Sequence, residues 1–144
     1  MIERSYDAAI INALVNDPSI RPHVGGDPEQ PLDLTAAVTN ERNVFLRGDH
    51  GGFFCEWMGP GDYQVHTFIL PDGRGPWGFA FARAGREKMA ELGAKHLWTR
   101  VPSDARHTRA FTMRAGFKPA GQDTLDIGVG PVTYDLYDWR PECL

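Results

Sequence analysis

The segment from Tyr63 to Val101 constrains the fold more than any other part of the chain. An apolar run, Tyr63–Leu70, stops at Pro71-Asp72-Gly73-Arg74-Gly75-Pro76, where prolines and glycines end the strand. From about Trp77 to Leu92 the period is helical, with Phe81, Gly85, Met89 and Leu92 near one stripe and Gly93 as the C′ residue. His96–Val101 reads as a strand again. A strand–helix–strand run requires a crossover, and a crossover sets its two strands parallel within one sheet.

The flanks supply antiparallel material. Val44–Arg47 and Gly52–Met58 read as strands joined by a turn at Gly48-Asp49-His50-Gly51, and Gly59-Pro60-Gly61-Asp62 turns the chain into Tyr63–Leu70. Further on, Pro102-Ser103-Asp104 is expected to cap a helix over Arg106–Ala115, closed by Gly116. Phe117–Gly121 and Val132–Trp139 are the last two strands. Near the start, Tyr6–Asn16 carries Ile10, Ile11, Leu14 and Val15 on one helical face, with Ser5 as N-cap and Asp17-Pro18 as the stop. The stretch to Pro31 holds Pro22, Gly25, Gly26 and Pro28 and reads as loop; Leu32–Thr39 reads as a short second helix. The expected class is α/β, one domain over residues 1–144. Residues 1–43 form a helical and looped part, and residues 44–139 a mixed, mostly antiparallel twisted sheet flanked by helices.

With 144 residues, 42% of them hydrophobic, the chain can bury the core of one domain. A net charge of -4 and dispersed basic residues argue against nucleic acid, whose phosphates call for a dense basic face. Arg100, Arg106, Arg109 and Arg114 are the one local cluster, suited to a small anion or a protein partner. The two cysteines, Cys55 and Cys143, make neither a disulfide framework nor a zinc site. Asp49, His50 and His66 lack the paired spacing of metal ligands, so no metal is expected. No run is long enough to span a membrane. The expectation is a cytoplasmic protein with reduced thiols and no membrane partner.

The stretch His66–Ala80 carries the chemistry. A glycine-rich turn from strand to helix leaves backbone N–H groups pointing outward, and the helix dipole adds positive charge there. A pyrophosphate is well received at such a place, and Arg74 can add a charge-assisted bond. The glycine pattern alone is also what any strand-to-helix turn can use.

The second segment is Arg109-Ala110-Phe111-Thr112-Met113-Arg114-Ala115-Gly116-Phe117, a helix ending in Gly-Phe directly before a strand. Together the two segments resemble the GNAT superfamily of N-acetyltransferases, whose pyrophosphate loop runs Arg/Gln-x-x-Gly-x-Gly/Ala. The likeness spans residues 44–139 in element order. The run His66…Leu70-Pro71-Asp72-Gly73-Arg74-Gly75 is most similar to small GNAT-like proteins of tailed bacteriophages. This resemblance implies acyl transfer from acetyl-coenzyme A, or another acyl-coenzyme A, to an amine of a small molecule or protein. It implies that Arg74, Gly75, Trp77, Gly78, Phe79 and Ala80 surround the pyrophosphate, while the edge at Ile69 and Leu70 pairs with the pantetheine amides.

Several positions depart from the family pattern. Gly78 and Ala80 fall one place late, as if one residue were inserted, and bulky Trp77 stands where backbone should approach phosphate. Thr112 replaces the family's tyrosine acid, Ala105 its asparagine, and the family's first strand is expected to be missing. The base in this superfamily often lies on the strand before the loop. With one inserted residue His66 lies on the face that family bases use; without it, Tyr63 does. Histidine titrates near neutrality and suits the role. A histidine hydrogen-bonded inside the sheet is the plain alternative. Tyr134 and Tyr137 are other proton donors to consider. The rival expectation is a catalytically degenerate phage protein on this scaffold, acting in the host cytoplasm by binding a host protein or a virion component.

Overall fold

The crossover expected between Tyr63 and Val101 is present, and it sits at the centre of the sheet. The computed structural model describes residues 2–126, 128 and 130–141. Along the chain come β1 Glu3–Ser5, α1 Ala8–Val15, a 3-10 turn at Arg21–His23, α2 Thr35–Thr39, β2 Val44–Gly48, β3 Gly51–Gly59 and β4 Asp62–Ile69. A 3-10 turn at Pro71–Gly73 leads into α3 Pro76–Glu91, β5 His96–Pro102, α4 Arg106–Arg114, β6 Lys118–Asp126 and β7 Pro131–Trp139. The described residues form a seven-stranded sheet in the order β1-β2-β3-β4-β5-β7-β6. Each neighbouring pair is antiparallel except β4 and β5, the pair that the crossover through α3 sets parallel. Cys143 lies outside the described residues.

Strands β2 and β3 are covered on both faces, which is why they read as near-continuous apolar runs. Val44, Leu46, Phe53, Cys55, Val65 and Ile69 pack with Phe81, Ala82 and Met89 of α3. On the opposite face, Phe45, Phe54 and Phe68 pack with Ile11 and Val15 of α1 and Val38 of α2. No residue of β5, β6 or β7 joins this second core among the described residues. That half of the face is left open. It matters for the site.

Three expectations are corrected. The first strand is not missing: Glu3–Ser5 pairs antiparallel with Arg47–Phe45. Its charged residues hid it, but charge is usual on a short edge strand. Glu3 meets Arg47 at 3.5 Å, and Arg4 donates to the carbonyls of Glu41 and Asn43. Ser5 therefore cannot cap α1; Asp7 does, its carboxylate accepting from the N–H of Ala9 at 2.9 Å. At α4 the N-cap is Ala105, without a side-chain bond, because the Ser103 hydroxyl donates to Asp135 instead.

The segment expected to be loop is ordered by Arg21, which is 5% exposed. Its guanidinium donates to the carbonyls of Val24, Gly25, Asp27 and Gln30 at 2.6–3.3 Å. A buried cation needs partners, and here four carbonyls supply them. Asn12 on α1 and Asn16 at its C-cap then clasp the backbone of Leu34 and Leu32.

Cys55 is buried on β3, and burial pushes its thiol up to about 12. It is therefore no nucleophile. In native protein treated with iodoacetamide at mildly alkaline pH, the Cys55 peptide should stay unmodified by mass spectrometry and become alkylated on denaturation. Rapid native alkylation would contradict this packing.

Candidate functional site

Pairing between β4 and β5 stops after Asp62↔His96, Tyr63↔Leu97 and Gln64↔Trp98. Beyond that point β4 stays with β3 as far as Ile69, and β5 stays with β7 as far as Pro102. Each strand follows the twist of its own half-sheet, so the two part. At the apex the Thr99 hydroxyl donates to the Val65 carbonyl at 2.9 Å, replacing a ladder bond. At the closed end the His96 ring bridges Asp62 and Asp138 at 3.0 and 3.1 Å, tying β4, β5 and β7 together.

The Val65 carbonyl faces β5, and main-chain direction alternates along a strand, so Thr67 and Ile69 face the opening as well. Among the described residues no strand lies opposite them. Their main-chain groups are therefore free for a ligand, apart from the Ile69 carbonyl, which accepts weakly from Arg74 at 3.4 Å. Leu70 is placed differently, since its N–H bonds the His50 carbonyl on the β3 side.

The opening leads to the start of α3. Gly75 caps this helix at φ 119°, a conformation that suits glycine. The first helical bond runs from Phe79 N–H to Gly75 O, so the N–H groups of Trp77 and Gly78 remain outside the ladder. Phe79 and Ala80 lie inside it. The Trp77 ring turns inward: it stacks on Phe81 at 4.7 Å and meets His50 edge-on at 5.0 Å. Its bulk is thus partly buried against the β2–β3 hairpin. Gly78 leaves no room for a side chain, since a Cβ there would lie 2.8 Å from the Gly73 carbonyl and 3.1 Å from the Phe111 ring of α4. The Arg74 guanidinium sits at this mouth, donating to the Ser19 carbonyl at 3.2 Å.

His66 and Tyr63 lie on opposite faces. Tyr63 packs against the α3 core, whereas His66 is on the face shared with α1 and α2, two residues past the last β4–β5 pair. Its Nε2 is 3.1 Å from Glu56 Oε1. An ionised carboxylate only accepts, so Nε2 carries the hydrogen, and in the neutral ring Nδ1 has the lone pair. The strand offered Thr67 beside Tyr63 and His66 as a side chain, but sequence reasoning missed its main-chain role, as it missed Glu56 and Thr99, because these depend on strand register rather than on any motif.

Two cavities flank the opening without filling it. One of about 470 Å³ lies beside the turn and is lined by Asp17, Ser19, His50, Leu70 and Asp72. The other, of about 500 Å³, lies between α4 and the β6–β7 pair and is lined by Arg109, Met113, Gln122, Asp135 and Tyr137. The second is larger, but its polar groups are spent on one another: Asp135 accepts from Ser103 and Gln122 and pairs with Arg109, whose Nε donates to the Tyr137 hydroxyl. The opening carries the better case for chemistry, because its main-chain groups lack partners.

Solved structures that resemble the chain include several acetyltransferases. A variant of the spermidine N-acetyltransferase of Vibrio cholerae matches at TM-score 0.74 and 11% identity, covering 97% of this chain and 94% of that one. The ribosomal-protein-alanine N-acetyltransferase of Brucella melitensis matches at TM-score 0.67 and 15% identity, covering 98% and 99%. The microcin C7 self-immunity acetyltransferase MccE, solved with acetyl-CoA and AMP, matches at TM-score 0.69 and 12% identity, covering 97% and 92%. No protein-family model matches the chain, and no curated protein matches it by sequence. The chain has the fold of the GNAT acetyltransferases. At these identities the likeness carries the fold alone.

The basic residues grouped around α4 in the sequence do not converge. Arg100 pairs with Asp123 at 3.3 Å, Arg109 with Asp135 at 2.9 Å, and Arg114 lies 4.3 Å over the Phe79 ring. Hydrogen bonds from Gln122 and Ser103, with Arg109 adding its charge, hold the Asp135 carboxyl below the usual range. A depressed folded value means stability that is present above the unfolded value and lost as pH falls through the folded one. Asp135→Asn should therefore melt below wild type at neutral pH, with the gap closing as pH drops below the ordinary carboxylate range. An unchanged gap across that window would contradict the network.

Proposed function

We propose that the chain transfers an acyl group from an acyl-coenzyme A, acetyl-coenzyme A being the simplest, to an amine of a small molecule or protein, with His66 as the base. The parted β4 and β5 carry this reading. The main-chain groups of Thr67 and Ile69 match the amides of a pantetheine arm. The N–H groups of Trp77 and Gly78, backed by the α3 dipole and flanked by Gly75 and Arg74, suit a pyrophosphate at the mouth. Phe79 and Ala80 form the adjoining helical wall and Ile69 the strand edge; Leu70, whose N–H and carbonyl are bonded to His50 and Gly73, takes no part in that edge. When bound, the thioester supplies an activated acyl carbon and a thiolate leaving group. His66 Nδ1, held by the Nε2–H bond to Glu56, takes the proton from the attacking amine. Tyr63 packs into the core on the other face and is the weaker candidate. The Thr112 hydroxyl donates to the Thr108 carbonyl in its own helix, so α4 offers no acid at that position. The charged His66 is then the proton donor at hand.

The occupied Thr112 hydroxyl and the Phe79–Phe111 stack at 5.1 Å across α3 and α4 favour a second reading. In it, the fold serves a phage as a docking module for a host protein and no acyl group moves.

Acetyl-coenzyme A at about a hundred times its Kd should stabilise the fold by roughly 2.7 kcal/mol, a melting shift of several degrees. His66→Gln should keep that shift and lower kcat by about a hundred- to ten-thousand-fold on any amine that is turned over. No shift and no calorimetric heat would end the acyl-transfer reading and favour docking. Wild-type turnover in His66→Gln would move the base elsewhere.

A further inference from the structure

We propose that Arg100 recognises a carboxylate on the acceptor, which makes the acceptor a small amine of the amino-acid class. This presupposes acyl transfer at His66, since it names the other partner of that reaction. Paired residues share a face, so Trp98, opposite Gln64, lies on the His66 side of the sheet, and Arg100 two places on does too. Arg100 stands as far past the last β4–β5 pair as His66 does, on the facing strand. This half of the face is the one left uncovered by α1 and α2.

The Arg100 guanidinium is fixed from two directions. Its carbon lies 4.9 Å over the Trp98 ring, and its Nε donates to Asp123 at 3.3 Å. Its two terminal nitrogens have no partner among the described residues, and the side chain is 28% exposed. A free surface arginine loses much rotamer freedom when it binds, whereas this one is already held. The unspent N–H pair matches the two oxygens of a carboxylate. Charge is sorted across the opening to match a zwitterion. Glu56 and the His66 lone pair stand on the β3–β4 side for the amine, and the Arg100 fork stands on the β5 side for the acid. Neighbouring strands are about 5 Å apart where paired and wider here, a span for groups a few bonds apart rather than the ends of a long diamine.

Wild type, Arg100→Gln and Arg100→Lys would be assayed for thiol release from acetyl-coenzyme A with the common amino acids and their carboxamides. In parallel, the Trp98 indole N–H signal would be followed by NMR as the same amino acids are added without acetyl-coenzyme A. An amino acid should be preferred over its carboxamide by at least about tenfold, and Arg100→Gln should raise its KM about 10- to 100-fold while leaving the KM for acetyl-coenzyme A unchanged. The indole shift should vanish in Arg100→Gln and be weakened in Arg100→Lys, which keeps the charge without the fork and serves if the Gln variant fails to fold. Carboxamides that work as well as acids would overturn the assignment. So would an Arg100→Gln titration like that of wild type, or amino acids that neither turn over nor move the signal. An Arg100-dependent indole shift in a protein that does not bind acetyl-coenzyme A would uphold the carboxylate site and remove acyl transfer instead.

Discussion

The candidate site in this structure depends on a parallel strand pair that holds over only part of its length. The crossover through α3 forces β4 and β5 side by side, but each has a stronger partner on its other edge. β4 is laddered to β3 and β5 to β7 along nearly their whole lengths, whereas β4 and β5 share only the pairs from Asp62↔His96 to Gln64↔Trp98. The His96 bridge holds the closed end and the Thr99–Val65 bond marks where pairing stops. An unpaired main-chain edge inside a sheet costs stability unless something else satisfies it. Along Thr67 and Ile69 no strand of the described residues meets that cost.

The position of the helix end relative to this opening is set by rings. Phe53 stacks on Phe81 at 4.9 Å, Phe81 on Trp77 at 4.7 Å, and Trp77 meets His50 edge-on. This ladder pins the first turns of α3 to the β2–β3 hairpin. Gly48 and Gly73 leave room for it, since a Cβ at either would press on the Trp77 ring. The same ring that looks like an obstacle to phosphate in the sequence thus anchors the turn that would receive it.

The crossover, the strand-to-helix turn and the α/β class were legible because they rest on breaks in periodicity, which local residues dictate. The first strand was not, because Glu3 and Arg4 look like surface residues and only their pairing with β2 makes them strand. Ser103 looked like a cap because capping is a local preference, yet Asp135, distant in sequence, competes for its hydroxyl. Arg21 was illegible for a similar reason: its carbonyl partners come together only after the loop has closed. At the site, His66, Ile69 and the glycine turn could be named from the chain. Glu56, Thr99 and the main-chain role of Thr67 could not, since they depend on register and the loss of pairing.

In the acyl-transfer reading proposed above, the main chain of Thr67 and Ile69, with the N–H groups of Trp77 and Gly78, forms the acyl-coenzyme A seat. Amide hydrogen exchange read residue by residue with and without acetyl-coenzyme A tests it directly. These four amides should exchange quickly in the free protein and be protected on ligand addition, while the amides of His66 and Phe68, already laddered to β3, change little. Protection confined to other segments, or none at saturating ligand, would contradict the account.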